Sequence, residues 1–493
     1  MAPWPLRVHL VTRPRRVYAA RTDHVLAQRP AVARATSATP RDARCASPPD
    51  TRRGPMMRNR TQIRTGITAM VIAASLTSLT ACGAGSRTGA EDATAVECDY
   101  TMPEGETTVN VLAYNSSAID PFTNTMVKSC TRENVTLKHD PIDFSGQVTK
   151  TTATLSGDTG SYDILETYGF AVPEIASAGS IVPLDDFVAE YGEKYELDAL
   201  NEGMRSALSY DGKLYALPMQ AQMYVMAYRQ DIFDELDLTA PESFEDMIAA
   251  AEAIREQGDI EYPIALPMSA TADVSTIYQA AMNSTGTDFL DAGEPQFTSD
   301  GSREALEGLK SLLPYMDPEV TTFDQPSVQQ QMFNGNAAMA IMFSGRMNDL
   351  TLESNSPNFD KFGFAAPPSL AADAPYLFSR LSVDGWAIPE NTQLDKDMLF
   401  QMIASSVGED ASNASVPAAY PAREGIVTDE SSAYAVAANE TIAATMPAPN
   451  DPFSAPVTNA IRPVLVEVLL GQTEVEDGMQ EMQRLAEETV SGS

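Results

Sequence analysis

The chain has 493 residues, which is enough for two or three domains with sizeable hydrophobic cores. Its hydrophobic fraction of 43% and charged fraction of 20% are typical of a globular protein and exclude an intrinsically disordered one. The formal net charge is −35, and the part from residue 82 onward carries about −46. Because so acidic a surface repels phosphate groups, we expect no nucleic-acid partner.

Histidine is scarce, and this limits the chemistry of the chain. The three histidines are His9, His24 and His139, and only His139 lies beyond the N-terminal region. A histidine-dependent catalytic triad or a multi-histidine metal site is therefore hard to build. We expect no catalytic residues, no metal site and no cofactor.

The N-terminal region differs in composition from the rest. Residues 1–55 are rich in Arg, Pro and Ala and have no hydrophobic periodicity, which is typical of a disordered leader or of upstream sequence added by a wrong start codon. Met56 and Met57 offer the better start. Residues 56–81 then combine a basic segment with an apolar run of about 16 residues, which is too short to span a bilayer and typical of a signal peptide.

The end of this apolar run carries a possible lipid-attachment site. Residues 79–83 read LTACG, and small residues before a cysteine at this position resemble a bacterial lipobox. The resemblance implies cleavage before Cys82 and a diacylglycerol group on its sulfur. The alternative is ordinary secretory cleavage beside an incidental cysteine. Residues 82–98, small and polar at their start, would form a flexible tether.

Two further cysteines remain in the body of the chain. Cys98 precedes the first predicted strand and Cys130 ends the first predicted helix. An even pair in an oxidising compartment suggests a disulfide, which would fasten the N-terminal segment to that helix. The alternative is two free buried thiols.

The first part of the body alternates strands with helices at short spacing, which predicts an α/β fold with a parallel, doubly wound sheet. Ligands of such sheets bind beyond the carboxyl ends of the strands, here 114–116 and 166–168. The predicted elements are strands 108–114, 135–137 and 162–166 and helices 118–131 and 146–156.

Residues 211–229 predict a passage between two sheets. A turn signal at 211–212 leads into a strand, Pro218 should end that strand or change its partners, and a second extended run follows from Met223 to Tyr228. We expect Gln220, Gln222 and Tyr224 to face the space between two domains. The alternative is an ordinary buried hairpin.

The α/β pattern then restarts, which predicts a second domain, and residues 383–389 resemble another crossing strand. Trp386, in that strand, is the only tryptophan beyond the N-terminal region. The predicted elements are helices near 231–237, 243–257, 302–313, 325–334 and 398–406, strands 263–266 and 337–343, and an extended segment 362–368.

Several short blocks, in order along 109–485, resemble the extracellular solute-binding lipoproteins of ABC importers, the large family that includes maltose-binding protein. Each block is weak alone, and their order carries the resemblance. The blocks are 162–165 (YDIL), 178–186 (AGSIVPLDD), 211–218 (DGKLYALP), 228–233 (YRQDIF), 241–246 (PESFED), 333–339 (FNGNAAM), 362–368 (FGFAAPP) and 387–389 (AIP).

The resemblance implies a two-lobed periplasmic-binding-protein-like fold with doubly wound sheets, whose hinge has two or three crossings. Lobe 1 would comprise 99–220 and 378–425, and lobe 2 would comprise 221–377 and 426–485. The implied function is capture of a small carbohydrate by hinge closure and its delivery to the membrane permease, without covalent chemistry. The protein would be a monomer, anchored by lipid on the outer face of the cell membrane.

Carbohydrate sites combine aromatic faces with planar or charged groups that bind hydroxyls. Trp386, Tyr224 and Tyr168 are the aromatic candidates, and core packing is the alternative for each. Because lobe 2 lacks tryptophan, we favour a mono- or disaccharide or a polyol over a long oligosaccharide. The polar candidates, each of which has a rim, turn or surface-pair alternative, are Glu166, Gln222, Asp384, Arg346, Asn115 and Arg423.

Other functions stay open at this point. A lipid-anchored glycoside hydrolase needs only paired carboxylates, although no acid–nucleophile motif is recognisable. Within the binding class, the ligand could be a polyamine, which needs clustered acids, or a phosphodiester, which needs positive charge. A surface sensor that keeps the fold without a transporter is a third alternative.

Overall fold

The computed structural model describes residues 93–447 and 451–492. The predicted leader 1–55, the predicted signal peptide 56–81, Cys82 and the tether up to residue 92 lie outside the described residues. Within them, no helix is long and apolar enough to cross a membrane.

Strands and helices alternate along most of the described chain. The strands are β1 (Thr107–Leu112), β2 (Val135–His139), β3 (Ile164–Tyr168), β4 (Ser209–Tyr210), β5 (Lys213–Leu214), β6 (Leu217–Gln222), β7 (Tyr224–Arg229), β8 (Ile264–Ala265), β9 (Leu290–Asp291), β10 (Glu294–Pro295), β11 (Met339–Phe343), β12 (Phe362–Ala365), β13 (Ser382–Ala387) and β14 (Tyr420–Pro421).

The helices lie mainly against the two larger sheets. They are α1 (Asp120–Cys130), α2 (Phe144–Leu155), α3 (Val172–Ser177), α4 (Asp185–Tyr191), α5 (Glu202–Ala207), α6 (Gln230–Glu235), α7 (Phe244–Gln257), α8 (Asp273–Ser284), α9 (Asp300–Leu312), α10 (Gln325–Asn334), α11 (Met347–Leu350), α12 (Lys396–Ser406), α13 (Glu409–Ser415), α14 (Ala435–Ala444), α15 (Ser454–Leu469) and α16 (Val475–Ser491).

The larger sheet has six strands in the order β14-β6-β13-β3-β1-β2. Only β1, β2 and β3 are parallel neighbours, whereas β13 runs antiparallel between β3 and β6. The parallel arrangement predicted for the first three strands is confirmed, whereas the antiparallel direction of β13 was not predicted. Strand β13 enters from the other sheet rather than through a helical crossover, and a crossover is the connection that parallel neighbours need.

The second sheet has four strands in the order β12-β7-β11-β8, of which β8 and β11 are parallel. We call the six-stranded sheet with its helices lobe 1 and the four-stranded sheet with its helices lobe 2. The chain passes between them after β6, again between β12 and β13, and a third time between β14 and α14, which packs on β7 and β12. The two-lobed fold is thereby confirmed, while the predicted residue bounds of the lobes stay predictions.

The first passage differs from the predicted one at Pro218. The proline lies within β6, opposite Gly385 of β13, and the ladder shifts register between Asp384 and Gly385. Strand β14 pairs with β6 only at Gln220 and Ala221, so a strand lies on one side of Pro218 only. Proline is tolerated here because it lies at a bulge and only one neighbouring strand could have used a backbone N–H at this position. The change of sheet occurs at Met223 instead.

Cys98 and Cys130 form a disulfide with their Cα atoms 5.3 Å apart. The Tyr100 hydroxyl donates to the Cys130 carbonyl oxygen at 2.7 Å, and the Thr101 N–H donates to Gln401 Oε1 at 3.0 Å. The N-terminal end of the described chain is therefore fastened to lobe 1 by covalent and polar contacts.

The bulge in β13 needs a residue without a side chain at position 385. A Cβ on Gly385 would lie 2.5 Å from Leu208 Cδ1 and 2.8 Å from the Leu217 carbonyl oxygen. We expect Gly385→Ala to lower the free energy of unfolding by about 1–3 kcal/mol, because a backbone atom must move. Urea denaturation measures this. Gly105→Ala is the matched control, since nothing lies within 4 Å of its added Cβ; equal stabilities of the two variants would contradict the packing described for the bulge.

Candidate functional site

A buried polar cluster forms where the crossing strands β6 and β13 lie side by side. The Asp384 carboxylate oxygen Oδ2 accepts from Gln220 Nε2 and from Gln222 Nε2, each at 2.9 Å. Gln222 Nε2 is also 3.4 Å from the hydroxyl of Tyr114, which follows β1. Asp384 and Gln220 have no exposed area, because each lies in an interior strand of the sheet. The first and second passages between the lobes are thus joined at one carboxylate.

Glu166 extends this cluster along β3. Its Oε2 accepts the backbone N–H of Tyr114 at 2.8 Å, whereas its Oε1 has no hydrogen-bond partner among the described residues. Trp386 lies directly opposite Glu166 in the β3–β13 ladder, and its Nε1 likewise has no partner within the described chain. Both side chains are fully buried. An acceptor and a donor that lack partners therefore sit on neighbouring positions of one sheet.

An aromatic wall borders the cluster. The rings of Tyr168 and Phe170 stack with centroids 5.2 Å apart and planes 4° from parallel. Phe144, at the start of α2, packs against Tyr168 at 5.5 Å and against Tyr114 at 5.7 Å. The guanidinium of Arg380 lies 5.5 Å from the centre of the Phe170 ring.

Lobe 2 contributes a second aromatic group at the start of β7. Tyr224 is fully buried, and its ring lies 4.7 Å from Phe343 and 6.0 Å from Phe378. Its hydroxyl has no hydrogen-bond partner in residues 93–447 and 451–492. Arg346, in the short 3₁₀ turn Ser344–Arg346 after β11, is buried and interacts electrostatically with Asp349 and Tyr114.

The two lobes touch at this turn. The Ser117 hydroxyl of lobe 1 donates to the Gly345 carbonyl oxygen of lobe 2 at 2.6 Å. A Cβ on Gly345 would lie 2.7 Å from the Ala118 Cβ and 2.9 Å from Gln222 Oε1. The cleft between the lobes is therefore closed in this structure, and the closure depends on a residue without a side chain.

Burial governs the electrostatics of the cluster. It raises the pKa of Asp384 to about 6, although hydrogen bonds from Gln222, Gln220 and Ser382 act in the opposite direction. Burial also raises the pKa of Glu166 well above its usual value, with a further contribution from the nearby Asp384 charge. Burial and the two carboxylates raise the pKa of Tyr114 to about 12. The cluster thus contains two carboxyl groups and a phenol that release their protons only at a higher pH than usual.

The structure brings together most of the residues that the sequence proposed. Glu166, Tyr168, Gln222, Asp384 and Trp386 lie on three adjacent strands, with Tyr224 and Arg346 on the facing side. Because Trp386 has no exposed area, its ring offers no free face in this closed form.

Two predicted residues make other contacts. The Asn115 side-chain amide donates to Asp120 Oδ2 at 2.6 Å, at the border of the cluster. Arg423 lies elsewhere in lobe 1, where its guanidinium donates to the carbonyl oxygens of Tyr195 at 3.0 Å and Val407 at 3.3 Å. Those contacts fasten loops of lobe 1 and do not involve the cluster.

Sequence reasoning placed Tyr114 at the ligand edge of the sheet without naming it as a site residue, and it missed Phe170, Arg380 and the Ser117–Gly345 contact. Tyr114 carried a usable signal, because it follows the first strand at its carboxyl end. Phe170 and Arg380 lie in loops without a motif, and their pairing depends on the tertiary fold. No group of three or more His, Cys, Asp or Glu side chains in the described part of the chain could hold a metal ion.

The raised pKa of Asp384 gives a testable pH dependence. The folded state holds this proton more tightly than the unfolded state does, so the contribution of Asp384 to stability is fully present below about pH 4 and is lost as the pH rises through about 6. The buried carboxyl should lower the free energy of unfolding by roughly 2–3 kcal/mol between pH 4 and pH 7. Urea denaturation of the wild type and of Asp384→Asn at several pH values tests this. The loss should be smaller in the variant, where Glu166 still titrates; parallel profiles would refute it.

The family model described as bacterial extracellular solute-binding protein matches residues 130–397, more than half of the chain. Among curated relatives, the erythritol/L-threitol-binding protein of Mycolicibacterium smegmatis is 23% identical over 295 residues, which cover 54% of this chain and 60% of that protein. The mannitol-binding protein of Pseudomonas aeruginosa is 26% identical over 235 residues, 46% of this chain and 53% of that protein. The chain therefore spans less than two thirds of the length of these relatives.

Solved structures show the same fold. An ABC transporter solute-binding protein of Agrobacterium radiobacter K84 in complex with ribitol superimposes with a TM-score of 0.68 at 20% identity, covering 78% of this chain and 100% of that one. These similar proteins are binding proteins rather than enzymes, in agreement with the non-catalytic reading of the sequence. The chain belongs to the bacterial extracellular solute-binding proteins.

Proposed function

We propose that this protein is the ligand-capturing subunit of an ABC importer and that it closes its two lobes around a small carbohydrate, either a polyol or a mono- or disaccharide. The observation that carries this proposal is a mixture of buried donors and acceptors at the lobe junction that have no hydrogen-bond partner among the described residues. Glu166 Oε1 is an acceptor, Trp386 Nε1 is a donor and the Tyr224 hydroxyl is both.

A hydroxyl group suits such a mixture, because one oxygen both donates and accepts a hydrogen bond. Buried polar atoms without partners cost about 1–3 kcal/mol each, and a ligand that supplies the missing partners recovers that free energy on binding. Several hydroxyls on one short carbon chain would match several such atoms at once. In this proposal Trp386 contributes its indole N–H rather than a stacking face.

The aromatic wall also supports a carbohydrate ligand. Tyr168, Phe170 and Phe144 are held against one another, so their rings offer a fixed apolar surface for C–H groups. The names of the relatives point the same way, since those proteins bind erythritol, L-threitol or mannitol and the similar structure holds ribitol. We extend that ligand class to this chain as part of the proposal.

Delivery of the ligand would require that closure depends on binding. Ligand groups that contact both lobes stabilise only the closed form, so binding shifts the hinge equilibrium towards it. The Ser117–Gly345 contact is one direct bond that only the closed form can make. We further propose that a lipid on Cys82 holds the protein, as a monomer, at the outer face of the membrane, where it can contact the permease.

A polyamine is the second candidate, because the buried Glu166 and Asp384 carboxylates would attract a cation. Against it stand the guanidinium groups of Arg346 and Arg380 at the same junction. A phosphodiester ligand and a sensor without a transporter are retained only as outcomes of the screen below.

Melting temperatures with a panel of ligands test the proposal, because a ligand that binds only the folded protein raises the midpoint by mass action. The panel comprises erythritol, ribitol, D-mannitol, maltose, putrescine and glycerophosphocholine. We expect a rise of several degrees with at least one sugar or polyol. A rise with putrescine or glycerophosphocholine alone would refute the carbohydrate assignment, and no rise with any compound would favour the sensor.

A variant that blocks closure tests the mechanism. Gly345→Val places a side chain where Ala118 and Gln222 leave no room, so the lobes cannot meet. We expect the dissociation constant of the bound ligand to rise at least roughly tenfold, while the melting temperature without ligand changes little. Isothermal titration calorimetry measures the affinity. Gly105→Val is the matched control, and unchanged affinity in Gly345→Val would contradict closure at this contact.

A further inference from the structure

The cleft contains one cation that the described residues leave without an ion pair. Arg380 lies in the passage between β12 and β13, and its guanidinium makes no hydrogen bond or ion pair within residues 93–447 and 451–492. Its guanidinium lies over the Phe170 ring and interacts electrostatically, at longer range, with Tyr224 and Asp288. The Arg380 side chain is half-buried, so part of its surface is accessible.

The nearest acid does not neutralise this cation at close range. The Asp288 carboxylate is buried and already accepts from Gln279 Nε2 at 2.7 Å and from the Phe289 N–H at 2.5 Å. The Tyr224 hydroxyl, which also lacks a hydrogen-bond partner in the described part of the chain, can supply a second donor beside Arg380. Arg380 and Tyr224 thus form a donor pair on the lobe 2 side of the closed cleft.

The acidic and basic groups of the cleft differ in whether they can become neutral. Glu166 and Asp384 can take up protons and become neutral, because burial raises the pKa of both carboxyls. A guanidinium stays charged in a protein, so Arg380 can be compensated only by an anion. A half-buried guanidinium that has no close anion among the described residues can gain a charge-assisted hydrogen bond from a ligand that carries one.

We infer that the ligand is a small polyhydroxylated anion, a sugar acid, whose carboxylate binds Arg380 and Tyr224 and whose hydroxyls bind Glu166 and Asp384. The inference rests on the proposed function and narrows its ligand class. The opposite orientation is disfavoured, because it would place the ligand carboxylate beside two acidic groups and leave the permanently charged Arg380 without an anion. A carboxylate fits a single guanidinium in bidentate geometry, whereas a phosphate of nearly two negative charges would remain partly uncompensated.

Three compounds that share one carbon chain test the inference by isothermal titration calorimetry on the purified protein. At carbon 1, D-gluconate carries a carboxylate, D-glucitol carries a hydroxyl and D-glucitol 1-phosphate carries a phosphate. We expect D-gluconate to bind at least roughly tenfold more tightly than D-glucitol, which is the usual advantage of a charge-assisted hydrogen bond. A preference for the phosphate over D-gluconate would overturn the assignment to a sugar acid.

The variant Arg380→Gln tests which residue produces this preference. It should lose the preference for D-gluconate, so that the ratio of the D-gluconate and D-glucitol affinities falls to about one. Arg255→Gln, which removes the same charge from an exposed position on α7, is the matched control and should behave as the wild type. Circular dichroism and melting curves establish that both variants fold, and Arg380→Lys keeps the charge but loses the bidentate geometry.

The other possible binding results distinguish failure of the sugar-acid inference from failure of the proposed function. Equal affinity for D-gluconate and D-glucitol in the wild type, or an equal loss of both in Arg380→Gln, would overturn the inference. If none of the three compounds binds but a neutral sugar or polyol of the earlier panel does, the inference fails and the proposed function stands. If no hydroxylated compound of either panel binds, both fail.

Discussion

The fold depends on one buried carboxylate that joins two passages between the lobes. Asp384 lies on β13 and receives the side-chain amides of Gln220 and Gln222 from β6, so the strands that enter and leave lobe 1 are tied at the same oxygen. Burial without a cation makes this charge costly, and hydrogen bonds from two amides and Ser382 offset only part of the cost. A protein that needed only stability would place apolar residues here. A buried carboxylate that is costly to ionise, such as Asp384 in the interior strand β13, is typical of a binding site.

The closed cleft combines rigid and adaptable parts. The aromatic rings of Tyr168, Phe170 and Phe144 restrain one another on lobe 1, whereas the facing side is built from a short 3₁₀ turn and a passage between strands. The lobes meet at the Ser117–Gly345 hydrogen bond and through an apolar cluster that continues from lobe 1 to Met332, Met342 and Met347 of lobe 2. The polar cluster itself lies on strands of lobe 1, and lobe 2 completes the site when the cleft is closed.

Sequence reasoning predicted the order of elements well where periodicity or turn chemistry was strong. The strands β1, β2, β3 and β11 and the helices α1, α7 and α10 fall within a few residues of their predicted bounds. The prediction failed at Pro218, because local propensity cannot reveal that a register shift will accommodate the ring. The helices α8, α15 and α16 were not predicted. In α8 nearly every residue is buried, so its sequence shows no polar face to mark the period, and Pro463 interrupts the pattern of α15.

The candidate site was predictable only in part, for a related reason. Glu166, Gln222, Asp384 and Trp386 were found because they end or line strands, and strand ends converge in α/β sheets. Arg423 occupies a loop of the expected kind, yet its partners are the carbonyl oxygens of lobe 1, which no local pattern specifies. Arg380 was not predicted, because it is singled out by having no ion-pair partner among the described residues. That property can be seen only in the three-dimensional structure.

The attachment of the N-terminal segment has a mechanical consequence. The disulfide between Cys98 and Cys130, together with the bond from Thr101 to Gln401, fixes this segment to lobe 1 alone. Under the proposed anchoring at Cys82, a force transmitted from the membrane would act on lobe 1 and not across the hinge. Lobe 2 would then move relative to lobe 1 independently of the anchor, and thermal motion of the bilayer would displace both lobes together without opening the cleft.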